Sequence, residues 1–245
     1  MTTSQPLIGK AALVTGGARR IGREIALKLA SAGAEVTVTY RNSRDEAEQT
    51  IKAIKELGQL AIALKCDVTS EASVREAITA AVNFHGHLDL LVNNAAVFES
   101  VPLDQITLEQ WDAVFAANTR GPFLVAREAI SHLRKSHGRI INIGSLGGLY
   151  AWAGHAHYCA SKAALHMLTQ AMAKAFAPDV AVNCVAPGWI DLGDNPHEDD
   201  ARMAAKTPMR RNGTAQDVAQ TVIFFAAASS FITGQVLAVD GGLGL

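Results

Sequence analysis

Short apolar, β-branched runs recur along the chain and alternate with longer stretches whose apolar residues return every three or four positions. The short runs begin with Ala11-Ala12-Leu13-Val14-Thr15, Glu35-Val36-Thr37-Val38-Thr39-Tyr40, Leu60-Ala61-Ile62-Ala63-Leu64 and Leu88-Asp89-Leu90-Leu91-Val92. Arg139-Ile140-Ile141-Asn142-Ile143, Val180-Ala181-Val182-Asn183-Cys184-Val185 and Gln235-Val236-Leu237-Ala238-Val239 continue the series. Several are apolar on both faces, as strands of a parallel sheet covered on both sides by helices must be. Helical periodicity fills the gaps at 21–32, 43–57, 70–85, 107–134, 157–176 and 214–228. This alternation, with no Pro/Gly/Ser linker and no internal repeat, predicts one α/β domain over residues 1–245, a doubly wound parallel sheet with helices on both faces. The stretch 188–213 is mixed in character and carries the acidic residues Asp191, Asp194, Glu198, Asp199 and Asp200. A segment of that length at the mouth of a sheet fits a solvated loop or a substrate lid.

Composition removes several function classes. With 22 basic and 23 acidic residues the net charge is −1, and neither sign forms a long block, so neither a nucleic-acid nor an anionic-membrane partner is expected. No apolar run reaches the length of a membrane span, and Met1 to Lys10 lack the basic and apolar regions of a signal peptide, which predicts a cytoplasmic protein. Cys66, Cys159 and Cys184 are scattered without metal-ligand spacing and read as small buried hydrophobes; no metal site is expected.

The first strand runs into Thr15-Gly16-Gly17-Ala18-Arg19-Arg20-Ile21-Gly22 and then a helix. Glycines in such a turn let the backbone approach a pyrophosphate, whose charge is favoured at a helix N-terminus. The spacing is Gly-x-x-x-Gly-x-Gly with Arg20 at the middle glycine. After the second strand, an NAD site places a carboxylate on the ribose 2′-hydroxyl. Here Tyr40-Arg41-Asn42-Ser43-Arg44 offers none before Asp45, and Arg41, Ser43 and Arg19 suit a 2′-phosphate, so NADPH is the expected cofactor.

Tyr158 and Lys162 are four residues apart in His157-Tyr158-Cys159-Ala160-Ser161-Lys162 and share a helix face. An ammonium beside a phenol favours the phenolate and lowers the phenol pKa, making an acid that donates a proton and recovers it. The same spacing occurs on ordinary amphipathic helices, so the pair by itself leaves a packing role open.

These residues together resemble the short-chain dehydrogenase/reductases over nearly the whole chain. The resemblance is carried by the turn at Gly16 to Gly22, Asp67-Val68, Asn93-Asn94-Ala95-Ala96, Asn118, Ser145, Tyr158 with Lys162, Pro187-Gly188, Thr233-Gly234 and Asp240-Gly241-Gly242. It implies one Rossmann-type domain with about seven central strands, assembled as a homotetramer or sometimes a dimer. It also implies that Tyr158 is the general acid/base, that Lys162 holds the nicotinamide ribose, that Ser145 orients the substrate oxygen, and that Asn118 holds a relay water. Gly16, Arg19, Arg20, Ile21, Gly22, Tyr40, Arg41, Asn42, Ser43, Asp67, Val68, Asn94, Ala95, Ala96, Pro187, Gly188 and Ile190 become cofactor contacts, with Tyr158 and Lys162. Leu192 replaces the usual Thr near the nicotinamide amide.

Arg20 and Phe98 resemble the pteridine reductase branch, where the Arg reaches phosphate and substrate and the aromatic sandwiches a pterin; Thr207-Pro208-Met209-Arg210-Arg211 and residues 235–240 are similar to its bacterial members. Arg20, Phe98, Ser145 and Tyr158 are then the substrate contacts. Ser145, where that branch often has Asp, resembles carbonyl reductases such as 3-oxoacyl carrier-protein reductases. The leading expectation is an NADPH-dependent reductase of a small substrate, a pterin first and a carbonyl as the alternative. A catalytically silent dinucleotide sensor is a remote third reading. Trp152, His155, Trp189, Met203 and Met209 are candidates for the pocket wall.

Overall fold

The computed structural model describes residues 5–193 and 198–245. A seven-stranded, wholly parallel sheet forms its middle, in the order β3-β2-β1-β4-β5-β6-β9. The strands are β1 (Ala11–Val14), β2 (Glu35–Tyr40), β3 (Ala61–Lys65), β4 (Leu90–Asn93), β5 (Arg139–Ile143), β6 (Ala181–Pro187) and β9 (Val236–Val239). Every residue of β1, β4 and β6 is buried, as the two-sided apolar runs require. Helices α1 (Arg20–Ser31), α2 (Arg44–Glu56) and α8 (Ala215–Ala227) close one core around Ile25, Leu29, Ile54 and Val222. The other face carries α3 (Glu71–His85), α5 (Gly121–Ser136) and α6 (Ala156–Phe176), packed around Leu91, Leu133, Ile140 and Met172. Strand order reverses between β1 and β4, opening a crevice at their carboxyl ends, where open α/β sheets bind ligands.

Two regions depart from the periodicity. The predicted helix 107–134 is two helices, α4 (Leu108–Phe115) and α5, joined by a π-helical turn at Ala116–Arg120. Its start is fixed by a capping box in which Thr107 and Gln110 satisfy each other's backbone N–H groups. The extra residue of the π turn is invisible to a 3.6-residue pattern, because the helix axis continues through it. In 188–213, β7 (Ile190–Asp191) and β8 (Gly213–Thr214) form a two-stranded parallel ladder, with α7 (Asp200–Lys206) between them. Two-residue strands are too short to show alternation. The ladder ties both ends of the expected lid together at the sheet; residues 194–197 of that stretch, Asp194 among them, lie outside the described residues.

Among the described residues no helix is long and apolar enough to cross a membrane, and no group of three or more His, Cys, Asp or Glu residues could hold a metal ion.

Candidate active site

At the end of β1 the chain must turn sharply without covering the N-terminus of α1. Gly16 lies at φ 63°, and a Cβ on Gly17 would come within 2.8 Å of Val38. A Cβ on Gly22 would overlap the Gly16 carbonyl and come within 2.5 Å of Asn94 Nδ2. Glycine is therefore required at both ends of the turn, by the Val38 side chain at Gly17 and by the Gly16 carbonyl at Gly22. Arg20, at the position of the middle glycine, adopts φ 53°, the left-handed conformation that disfavours side chains. The first turn of α1 holds no acidic residue, and Arg19 at its N-cap offers no side-chain cap. That end of the helix is accordingly electropositive and suited to an anion.

Asn94 braces the turn rather than facing outward: its Nδ2 donates to the carbonyls of Thr15 (2.9 Å) and Gly16 (3.0 Å). Thr15 returns the tie, its hydroxyl accepting the N–H groups of Asn94 (2.9 Å) and Ala95 (3.0 Å). A cleft of about 370 Å³ opens here. Gly16, Arg19, Arg20, Ile21, Gly22, Tyr40, Arg41, Asn42, Ser43, Asp67, Val68, Asn94, Ala95 and Ala96, all expected cofactor contacts, line it. Pro187, Gly188 and Ile190 stand instead at the end of β6 and in the β7 ladder. Leu192 also lines the cleft, so the residue replacing a polar contact supplies an apolar wall. Sequence reasoning missed Thr39, Cys66, Thr69, Val97 and Ala117; Thr39 carries a signal in hindsight, since its hydroxyl accepts the Gly16 N–H at 3.4 Å.

One end of the cleft holds Arg41 with Asp67. Burial pushes the Asp67 carboxyl up, but the Thr69 N–H and hydroxyl, both bonded to Oδ1, and the charge of Arg41 outweigh it and hold the group below its ordinary value. Cys66 beside it is pushed up to about 11 by burial, which makes it a packing thiol.

Tyr158 and Lys162, also expected cofactor contacts, are not among the residues lining this cleft; α6 carries them, with the Lys162 ammonium directed to the carboxyl end of β5. Lys162 is 3% exposed, and its ammonium donates to the Ile143 carbonyl at 2.8 Å. It lies 5.8 Å from the centre of the Tyr158 ring. Burial draws its pKa down to about 8, with Cys184 opposing. The expectation that Lys162 lowers the Tyr158 pKa is corrected in the protein without cofactor: burial raises the phenol above its ordinary value, and the opposing influence is a hydrogen bond from Ser145. The ammonium is turned toward β5 instead of toward the phenol oxygen, so desolvation wins.

Ser145, buried at the end of β5, also accepts the Gly147 N–H at 3.1 Å. Its own N–H donates to His166 Nε2 at 3.4 Å, and burial with the nearby Lys162 charge holds His166 down to about 4, a neutral ring at pH 7. Asn118 sits fully buried in the π turn. Its Nδ2 donates to the Val97 carbonyl (2.9 Å) and Ser161 hydroxyl (3.0 Å), while its Oδ1 accepts the Val97 N–H (2.8 Å). Both amide hydrogens are thus committed to protein, and the side chain joins three elements instead of facing a water with its N–H groups. Ser161, unforeseen from sequence, links Asn118 to the Tyr158 carbonyl at 2.7 Å.

Aromatic rings frame Tyr158. Phe98 meets it edge-on at 4.8 Å, Trp152 lies nearly parallel at 6.4 Å, and His155 stacks on Phe98 at 4.8 Å. Of the other expected wall residues, Trp189 donates its indole N–H to Asp200 at 2.7 Å, and Met209 is exposed against the C-terminal turn at Gly241.

The family model described as enoyl-(acyl carrier protein) reductase matches residues 16–244. A 3-oxoacyl-(acyl-carrier-protein) reductase, FabG of Staphylococcus epidermidis, is 38% identical, with 96% of this chain and 99% of that protein aligned. The tetrahydroxynaphthalene reductase of Pyricularia oryzae is 37% identical over 98% of this chain and 91% of its own length. Among solved structures, a short-chain dehydrogenase from Burkholderia cenocepacia in complex with NADP superposes with a TM-score of 0.94 at 38% identity, covering 98% of this chain and all of that one. The chain belongs to the short-chain dehydrogenase/reductase family and is an oxidoreductase with its Rossmann-like fold.

Lys162 generates a test that needs no substrate. Its folded pKa, about 8, is below its ordinary 10.5, so its contribution to stability is full above about 10.5 and is lost as pH falls through about 8. In the protein without cofactor, Lys162→Met is expected to raise stability at pH 7 by on the order of 1–2 kcal/mol, after the lost bond to Ile143. The gain should vanish toward pH 10.5. Chemical denaturation across pH checks this; a variant less stable than wild type at every pH contradicts it.

Proposed function

We propose that the protein is an NADPH-dependent carbonyl reductase, and the observation that carries this reading is a cleft lined by Arg41 and Ser43 together with a cluster of Ser145, Lys162 and Tyr158 at the carboxyl end of β5. The curated relatives named for 3-oxoacyl and hydroxynaphthalene reduction, and the neighbour bound to NADP, support it. The glycine cradle, the uncapped N-terminus of α1 and the absence of an acidic residue from Tyr40 to Arg44 suit a dinucleotide carrying a 2′-phosphate. Gly16 to Gly22 would hold its pyrophosphate, Arg41 and Ser43 the 2′-phosphate, and Lys162 and Tyr158 the nicotinamide ribose.

When bound, the cofactor supplies hydride. The Ser145 hydroxyl orients the substrate oxygen, and the Tyr158 phenol, whose raised pKa keeps its proton in place at neutral pH, delivers that proton to the same oxygen. His166 holds the Ser145 backbone, and Asn118 with Ser161 fixes the helix turn that carries Tyr158. Phe98, 60% exposed beside Tyr158, also favours a second reading in which a flat heterocycle such as a pterin stacks there, with about 0.5–1.5 kcal/mol from ring contact, while Arg20 reaches its edge. We propose a homotetramer, supported by the exposed apolar residues Leu108, Trp111, Phe123 and Met167 on α4, α5 and α6. Light scattering at the 25.9 kDa monomer mass contradicts that assembly.

NADPH oxidation measured with an acetoacetyl thioester, tetrahydroxynaphthalene and dihydrobiopterin separates the readings. A carbonyl preference supports the first, a dihydropterin preference the second, and no turnover on any of them a dinucleotide sensor. On the best substrate, Tyr158→Phe is expected to lower kcat by about 10²–10⁴-fold and to weaken NADPH binding far less, since the phenol supplies the proton and only one of many cofactor contacts. Near wild-type kcat in that variant removes the assigned acid. Arg41→Ala should weaken NADPH binding at least about tenfold, from loss of a charge-assisted bond worth about 1.5–3 kcal/mol, and leave NADH binding alone. Equal affinity for both dinucleotides in the wild type contradicts the 2′-phosphate site.

A further inference from the structure

Phe98 belongs to a segment, 97–101, with neither helix nor strand, yet its ring sits edge-on to Tyr158 and stacked on His155. An unsupported loop would let that ring swing among rotamers, so its placement must be imposed by neighbours. The ends of the segment are tied by backbone bonds: Val97 to the Asn118 amide, and the Val101 N–H to the Gly154 carbonyl at 2.8 Å.

Among the described residues, the hydrogen bonds that tie its middle are those of Glu99. One carboxylate oxygen accepts the Gln110 Nε2–H at 2.7 Å; the other lies 3.3 Å from His157 Nε2. The Glu99 carbonyl meets His155 Nδ1 at 3.0 Å. Gln110 is itself oriented, because its Oε1 accepts the Thr107 N–H in the capping box of α4. His157 has no exposed surface, and its Nδ1 lacks a hydrogen-bond partner among the described residues. Its Nε2 contact with Glu99 is therefore the one hydrogen bond the ring makes among the described residues. Phe98 precedes Glu99 and His157 precedes Tyr158, so this one contact clamps together the chain neighbours of two facing rings.

We propose that Glu99 is a positioning residue that sets substrate affinity through Phe98, holding the ring as a fixed wall beside the Tyr158 phenol. The inference rests on the reductase reading for its kinetic readout. Glu99 makes none of the bonds described for the cofactor cleft, so its removal should spare NADPH binding.

A double-mutant cycle on tetrahydroxynaphthalene tests it in the full-length protein. Phe98→Ala and Glu99→Ala should each raise KM about fivefold to tenfold and change kcat less than about threefold. Adding Glu99→Ala to Phe98→Ala should raise KM by no more than about twofold further, since a residue acting through Phe98 has nothing left to position. Glu99→Gln, whose amide oxygen can accept from Gln110 and whose amide N–H can donate to an unprotonated His157 Nε2, should keep most of the wild-type KM. Additive effects, an unchanged KM in Glu99→Ala, or weakened NADPH binding would overturn the proposal. If Glu99→Ala fails to fold, Gln110→Ala replaces it in the cycle with the same expectations. Amide exchange of residues 97–101 gives a reading without turnover: Glu99→Ala should accelerate exchange there, and unchanged exchange overturns the clasp. A wild type that turns over no carbonyl removes the reductase reading instead, with the exchange result still deciding on Glu99.

Discussion

The buried bond between the Lys162 ammonium and the Ile143 carbonyl constrains the rest of the site. An ammonium taken out of water is costly unless its hydrogens find acceptors, and here the acceptor is the last residue of β5. That bond fixes the axial position of α6 against the sheet, one turn of helix from Tyr158. Every group around it is consistent with a dry, neutral setting: His166 stays uncharged, and Cys184 is a protonated thiol pushed up to about 12 by burial. The same dryness raises the phenol, so the Ser145 hydroxyl is the group that opposes the cost of ionising it.

A second constraint is the close approach of backbones at the β1–β4 switch point. Gly22 can have no side chain because the Gly16 carbonyl and Asn94 occupy its place, and Asn94 is held there by Thr15. The turn is thus braced from β4 through side-chain amide and hydroxyl groups, leaving the N-terminus of α1 for an anion. Arg20 accepts a left-handed backbone in the middle of this turn, where glycine would be unstrained. Its side chain stays on the rim of the cleft, which is where an arginine is useful to a phosphate.

Most of the sheet was legible because buried parallel strands are apolar on both faces; β1 to β6 and β9 fall within a residue or two of the runs that predict them. The glycine turn and the Arg41 end of the cleft were legible because their chemistry is local to a few adjacent residues. What the sequence hid are contacts between distant segments. The π turn at Asn118 is one residue of excess in an unbroken apolar pattern. The Glu99 clasp joins positions 99, 110, 155 and 157, which no spacing rule relates. The spacing of Tyr158 and Lys162 was read correctly as one helix face, but not the direction of the phenol shift, because burial and the pull of the Ile143 carbonyl are tertiary facts.

The central claim, that burial governs the Tyr158 phenol and Ser145 counters it, is open to direct titration. The ultraviolet difference between wild type and Tyr158→Phe, followed against pH in the protein without cofactor, isolates this one phenol. The account predicts ionisation above the ordinary value of about 10, and higher still in Ser145→Ala, where the opposing hydrogen bond is lost. Ionisation at or below about 10 in the wild type, or no upward movement in Ser145→Ala, would contradict it.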